Sequence, residues 1–351
     1  MRKVLPPLAA FLLVRALLAA AAVHAGYRPF DAASWKRWDS GQYLSIALRG
    51  YDLVECARIG YAPSGWCGNA GWMPGYPAVL GLLARMGIAP LTAGAAISAA
   101  FEILLLGLAW RMLRERNFLA LLACALAPSQ VYHHAIFPIS MCAFFMLLSL
   151  KLLLSERWSE AGASGALAAL SYSTGFLLGP IAGAYAASRP GDVRLRARRA
   201  ALAGGIAALG LAAVFALHHF TLGAWDAFIR VQAKYGHGLH WPFATFADAL
   251  RAGTVPAAQS IAVAAGMIAL ATWRIARGLT ARDGLLLGTA AAYWLFPLVA
   301  GGVSLYRADS LLVPAVLLLG DAPLAVNATV CAGLAALAFP MAQLFYRGIL
   351  I

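Results

Sequence analysis

Apolar stretches of about 20 residues recur from one end of this chain to the other, the length a helix needs to cross a hydrocarbon layer of about 30 Å. Nothing else in the sequence constrains the fold as strongly. Hydrophobic residues supply 62% of the 351 positions and charged residues only 12%, against roughly 25% charged in an ordinary soluble domain. A water-facing surface cannot be built from such a chain, so the bilayer is the expected solvent and the expected class is all-α and polytopic. The ten-residue alternation of an outer-membrane barrel is absent. Gly and Ala run through the apolar stretches and permit close helix packing in lipid. The formal charge of +13 reads as lysine and arginine held in cytoplasmic loops, so a nucleic-acid partner is not expected.

The start, MRKVLPPLAAFLLVRALLAAAAVHAG, has the marks of either a cleaved signal peptide or a first helix. Its long apolar part and the multi-spanning chain behind it favour a retained helix. Further helices are expected near 76–88 (short), 90–113, 117–134 and 137–154, and then across 160–187, which is broken at Ser173-Thr174-Gly175. If 160–187 were one span, the basic run RPGDVRLRARR at 189–199 would lie outside. Two short helices place it inside, as positive charge requires. Spans near 200–221, 254–277, 284–301, 305–320 and 323–346 then bring the total to about eleven crossings. The whole chain, 1–351, reads as one integral membrane domain, with the two polar loops 26–75 and 223–253 facing outward. No internal repeat is visible.

Three of the five cysteines, Cys124, Cys142 and Cys331, fall in apolar segments and read as small buried thiols. Cys56 and Cys67 sit in the first polar loop, where a bridge would contribute about 3 kcal/mol at best and would mean that the loop faces an oxidising compartment.

That first loop also holds KRWDSGQYLSIALRGY, residues 36–51. At helical spacing its aromatic and apolar residues alternate with Lys36, Arg37, Gln42 and Arg49, the pattern of a helix lying in the membrane interface. Asp39 and Tyr43, four residues apart, share a face. Asp39 has two readings on spacing alone: a helix-start carboxylate favoured by the helix dipole, or a carboxylate placed where lipid-borne and water-borne substrates meet. Inside the membrane, Arg15 and Glu102 are charges that need partners, and pairing with each other is one solution. The glycines of the first loop form no phosphate-cradling G-x-G-x-x-G.

Trp38, Asp39, Tyr43, Ile46, Ala47, Gly50 and Tyr51 follow the run W-D-x-x-x-Y-x-x-I-A-x-x-G-Y. This resembles the first-loop motif of the phosphatidylinositol-glycan class V (PIG-V) mannosyltransferases and their bacterial relatives, which are GT-C glycosyltransferases. WMPGYP at 72–77, LAPSQVYHHAIFPIS at 126–140, SYSTGFLLGP at 171–180, GAWDAFIRVQAKYG at 223–236 and SLYRADSLLVP at 304–314 resemble later family segments in the same order. Two positions depart. The family's fourth-helix glutamate is missing from Phe137-Pro138-Ile139-Ser140, and Tyr172 stands where the family has arginine. Both changes bear on sugar and acceptor more than on reaction class.

The resemblance implies a GT-C-type fold with interfacial helices in the first outer loop. It also implies an inverting transfer of a sugar, mannose first, from a polyprenyl-phosphate donor to a hydroxyl of a glycolipid, polysaccharide or protein. Asp39 would be the general base. The departing phosphate needs a cation, best a guanidinium, and Arg307 is the first choice, its alternative being an anchor at a helix end. His133 and His134 could touch the phosphate or could be plain interfacial residues. Trp38, Tyr43, Tyr76, Gln232 and Lys234 are the candidate substrate contacts, with Trp225, Tyr235 and Trp241 nearby; the bland reading of the second loop is a helix resting on the interface. His237, His240 and Asp226 match no strong metal-ligand spacing, and neither metal nor other cofactor is expected. The implied location is a bacterial inner membrane with the site facing the periplasm. A transporter or flippase would need paired broken helices related by internal symmetry, and a noncatalytic partner subunit would share the fold without the reaction.

Overall fold

The computed structural model describes residues 4–61, 65–301 and 305–350. The basic start of the chain at residues 1–3 and Ser304, the first residue of the late motif, lie outside the described residues. In chain order the helices are α1 (Leu5–His24), α2 (Ser40–Arg49), α3 (Gly75–Arg85), α4 (Pro90–Met112), α5 (Phe118–Ala125) and α6 (Val131–His134). They continue with α7 (Ile139–Leu154), α8 (Trp158–Ser171), α9 (Leu178–Ser188), α10 (Val193–Ala200), α11 (Ile206–Leu222) and α12 (Ala227–Ala233). The last are α13 (Pro242–Arg251), α14 (Thr254–Ala276), α15 (Ala281–Ala300), α16 (Leu305–Asp309), α17 (Val313–Leu317) and α18 (Leu324–Tyr346). A two-stranded antiparallel ribbon, β1 (Leu53–Glu55) with β2 (Trp66–Gly68), is the sheet among the described residues.

Among the described residues six helices are long and apolar enough to cross a membrane: α1, α4, the continuous α10–α11 rod, α14, α15 and α18. The chain is an integral membrane protein, but the eleven expected crossings are not eleven long helices. The expected span 117–134 is cut after Ala125, where Pro128 forces the preceding backbone out of the helical region, and only the single turn of α6 follows. The expected span 305–320 is two five-residue helices. The break at Ser173-Thr174-Gly175 is a 3-10 turn between α8 and α9.

Small residues set the helix spacing. A Cβ on Gly210 of α11 would lie 2.4 Å from the Ala166 carbonyl oxygen of α8, and one on Gly81 of α3 would lie 2.9 Å from the Ala47 carbonyl oxygen of α2. Only hydrogen fits at either contact, which lets backbones meet. Helix α2 is therefore packed against α3 rather than laid loosely on a surface, with Tyr43, Leu44 and Ile46 buried. The Tyr43 ring meets Tyr76 and Phe137 edge-on, with centroids 5.7 and 6.0 Å apart. One buried cluster takes in residues from α1 through α18 and includes Trp35 and Tyr43 of the first loop and Tyr76 of α3.

Candidate functional site

Asp39 ends a loop that turns sharply into α2, with Trp38 at a φ of 46°. It occupies the N-cap position of α2 but makes no side-chain capping bond. Its carboxylate Oδ2 instead pairs with Nη1 of Arg307, 268 residues away on α16. Asp39 thus stands at the helix start, as one reading of its spacing expected, and its side chain is directed to Arg307 rather than to a capping bond. Arg307 is nearly buried, with 5% of its side chain exposed, and its guanidinium carbon lies 5.7 Å from the centre of the Phe137 ring. It is an interior cation rather than a solvent-facing anchor.

The pair forms part of the wall of a cavity of about 550 Å³, within the range that holds drug-sized ligands. The first loop contributes Trp38, Tyr43, Trp72 and Met73, the α8–α9 break contributes Tyr172 and Thr174, and the second outer loop contributes Gln232, Tyr235 and His237. Phe296, Pro297 and Gly301 from the end of α15 complete one side. Aromatic faces beside a carboxylate, an amide and a hydroxyl suit a ligand that offers both ring faces and hydroxyl groups. Among the described residues the buried Thr174 hydroxyl has no hydrogen-bond partner, so it is a polar group available to a ligand.

The second outer loop is bound to the first. Gln232 donates its amide to the Gly71 carbonyl at 2.7 Å. Lys234 Nζ lies 3.6 Å from Cys67 Sγ and 4.8 Å from the Tyr235 ring centre, and desolvation lowers its pKa. The Cys56–Cys67 bridge is present and joins the two ends of the β-ribbon loop. His237 Nδ1 donates to the Gly301 carbonyl at 3.0 Å, leaving Nε2 as an acceptor in the neutral ring. Burial holds that imidazole below its ordinary range.

Of the residues expected at the site, Asp39, Arg307, Trp38, Tyr43 and Gln232 line the cavity. Four others do not, and each has a physical reason. His133 is fully buried between Glu102 and the Ser310 carbonyl. His134 is buried beside Gln130 and Arg15, with Arg15 Nη1 3.5 Å from its Nδ1. Neither histidine is presented to a ligand in the cavity. Tyr76 points into the helix packing, donating to the Gly94 carbonyl at 2.8 Å, and Lys234 sits behind Tyr235 against the disulfide. Arg15 and Glu102 do not pair with each other: the guanidinium of Arg15 stacks 3.8 Å from the Trp35 ring centre, while Glu102 takes His133.

Asp226 pairs with Arg230 at 2.8 Å and His240 faces the Gly236 carbonyl at 2.9 Å, so neither joins His237. Among the described residues no group of three metal-ligating side chains converges. Sequence reasoning missed Phe228, Phe296 and Gly301 as cavity residues; Phe228 lay inside the quoted segment 223–236, whereas Phe296 and Gly301 lie outside the motifs and arrive only through tertiary packing. Trp72 and Tyr172 lay within quoted motifs, and that position was their signal.

No family model matches the chain, and no curated protein matches it. Among solved structures, the oligosaccharyltransferase of Archaeoglobus fulgidus, crystallised in complex with Zn and sulfate, superposes with a TM-score of 0.51 at 13% identity, covering 96% of this chain and 53% of that one. The chain thus spans about half the length of the structure it matches. At that identity the likeness shows the fold alone, an all-α polytopic fold shared with that structure.

Proposed function

We propose that this chain is a glycosyltransferase that moves one sugar from a polyprenyl-phosphate donor to an acceptor hydroxyl, with inversion at the anomeric carbon. The observation that carries the proposal is the Asp39 carboxylate paired with the interior guanidinium of Arg307 in the wall of an aromatic cavity. In this scheme the acceptor oxygen attacks the anomeric carbon as Asp39 takes its proton. The new glycosidic bond forms while the bond to the phosphate oxygen breaks, and that electron pair leaves with the lipid phosphate. Arg307 offers several N–H groups in a planar fork, so it can keep one on Asp39 and turn others to the phosphate. The cation is already desolvated and fixed, so little reorganisation is needed when charge develops on the leaving oxygen.

Trp38, Tyr43, Trp72 and Tyr235 would form the apolar surface for sugar rings, with Gln232 and Thr174 as hydroxyl partners. Tyr172, in the place of a family arginine, makes this wall less cationic and supports a neutral sugar there. Mannose is the first sugar to try, by resemblance to the PIG-V-like enzymes. The solved neighbour is itself an oligosaccharyltransferase, which supports a glycosyl transfer here. The acceptor would be a glycolipid, polysaccharide or protein on the periplasmic side of a bacterial inner membrane. No metal is required by this scheme, because Arg307 supplies the positive charge.

The test is a product assay with purified protein and a panel of polyprenyl-phosphate sugars, followed by NMR of the new glycosidic bond. The expected result is transfer from one donor with inverted anomeric configuration. Retention of configuration would eliminate the single-displacement scheme, and absence of transfer from every donor would favour a carrier or a partner subunit.

A further inference from the structure

Glu102 is fully buried in the middle of α4, and it lines no part of the cavity. Its Oε2 lies 2.6 Å from His133 Nδ1, and His133 Nε2 lies 2.9 Å from the Ser310 carbonyl oxygen. Gln130 donates its amide to Glu102 Oε1 at 3.1 Å. A carbonyl oxygen only accepts, so Nε2 must carry a hydrogen. The other nitrogen faces a carboxylate oxygen, so that short contact holds a second hydrogen, whichever end owns it. The pair therefore keeps one shared proton and no net charge, a composition suited to a site without water.

What this pair holds is the turn that carries Arg307. The Ser310 hydroxyl and backbone N–H both bond to the Arg307 carbonyl, and Leu311 and Leu312 continue the turn with bonds to Ala308 and Asp309 at 3.0 and 3.1 Å. Arg307 and the Ser310 carbonyl thus belong to one stiff piece of backbone. It is tied from three sides: Tyr306 hydroxyl to the Ala249 carbonyl at 3.1 Å, Asp309 to Gln259 at 3.0 Å, and Ser310 to His133 at 2.9 Å. The His133 tie is backed by a carboxylate, which fixes the ring orientation and strengthens its donor.

We infer that Glu102 and His133 are positioning residues: they hold the Ser310 carbonyl and through it aim the Arg307 guanidinium at Asp39 and the cavity. This rests on the reading of Arg307 as the cation that meets the donor phosphate. It also explains why a carboxylate and a histidine lie inside the protein without touching the cavity.

Replacing both residues with leucine (E102L/H133L) removes the buried pair together, a change that tends to leave stability equal or raise it. It also removes the hydrogen given to Ser310. The expected variant is folded, with a Tm a few degrees below that of the parent because the buried Ser310 carbonyl loses its donor, and kcat falls about tenfold or more while KM for the donor changes little. Adding Arg307→Leu to it should cause no loss beyond Arg307→Leu alone, because the pair acts through that arginine. Glu102→Gln should keep most of the activity, since its amide can donate to Nδ1 while Nε2 keeps its hydrogen for Ser310.

A second variant, Glu102→Gln with His133→Phe, retains a planar ring without the donor and is read in the same way. Independently of turnover, phenylglyoxal modification of Arg307, followed by peptide mass spectrometry, should be slow in the parent and in Glu102→Gln and several-fold faster in both donor-less variants. Full kcat in a donor-less variant, a loss that multiplies with Arg307→Leu, or an unchanged modification rate would each overturn the inference. If the parent transfers no sugar from any donor, the transferase reading fails, whereas the modification rates still decide whether the pair holds Arg307.

Discussion

Removing one partner of the Asp39–Arg307 pair should cost more stability than removing both. The guanidinium side chain is 5% exposed and the carboxylate 23%, so the ion pair is largely inside the protein. Asp39→Ala leaves a desolvated cation without its carboxylate. Breaking a buried pair in this way costs about 3–5 kcal/mol, and the partial exposure of the carboxylate puts the value at the lower end, about 3 kcal/mol. At about 2 °C per kcal/mol for a large chain, Tm in detergent falls by about 6 °C. Arg307→Leu leaves the more exposed partner behind and should cost less, about 2 kcal/mol. The double variant Asp39→Ala with Arg307→Leu buries no orphan charge and should return to within about 1 kcal/mol of the parent. Thermal unfolding followed by tryptophan fluorescence, on all four proteins in one detergent, measures the cycle. A double variant as unstable as the sum of the singles would show that the two side chains are not coupled, and the geometry of the site would be wrong.

Other outcomes follow from the loops around the cavity. Cys56 and Cys67 should resist thiol alkylation in the intact protein and react after reduction, and replacing both with serine should cost about 2–3 kcal/mol; immediate labelling of both thiols would contradict the bridge. Burial lowers the His237 pKa from its ordinary value of 6.5, so the unfolded chain takes up that proton first as pH falls. Its contribution to stability is complete above about pH 6.5 and is lost on acidification toward the depressed folded value. His237→Gln should therefore show a shallower fall of Tm between pH 7.5 and 5 than the parent, and parallel curves would refute the assignment. Gly301 has a φ of 65°, and a Cβ there would lie 2.2 Å from His240 Cδ2; Gly301→Ala should cost about 1–2 kcal/mol and weaken donor binding, read as a lower Tm and a higher KM.

The long helices were legible because each is a long apolar run, even where Pro297 of α15 and Pro340 of α18 sit inside the helix without ending it. The span expected at 90–113 is Pro90–Met112, that at 254–277 is Thr254–Ala276, and that at 323–346 is Leu324–Tyr346. Pro90 at a helix start shows why: the residue that cannot donate sits where no donor is needed. The interrupted segments were harder to read. The apolar run 305–320 has the composition of a span, but the turn at Ser310–Leu312 is held by partners from α6 and α14 that no local pattern encodes.

Asp39 and Arg307 were both visible as charges in unusual settings, yet their pairing joins positions 268 apart. His133 and His134 were misplaced for the same reason. Adjacent histidines at an outer helix end look alike in sequence, whereas Glu102 and Arg15, which claim them, come from α4 and α1. Spacing also could not decide Asp39 between helix cap and reactive carboxylate, because both roles require the residue at the start of α2.

The role proposed for Asp39 is to take the acceptor's proton. It is tested most directly by the turnover of Asp39→Asn with the preferred polyprenyl-phosphate sugar. Asparagine keeps the size and one hydrogen-bonding oxygen but cannot take up a proton at neutral pH. A kcat about 10²–10⁴-fold below the parent is expected, in protein that still elutes as a single species and unfolds cooperatively. Turnover equal to that of the parent would contradict it.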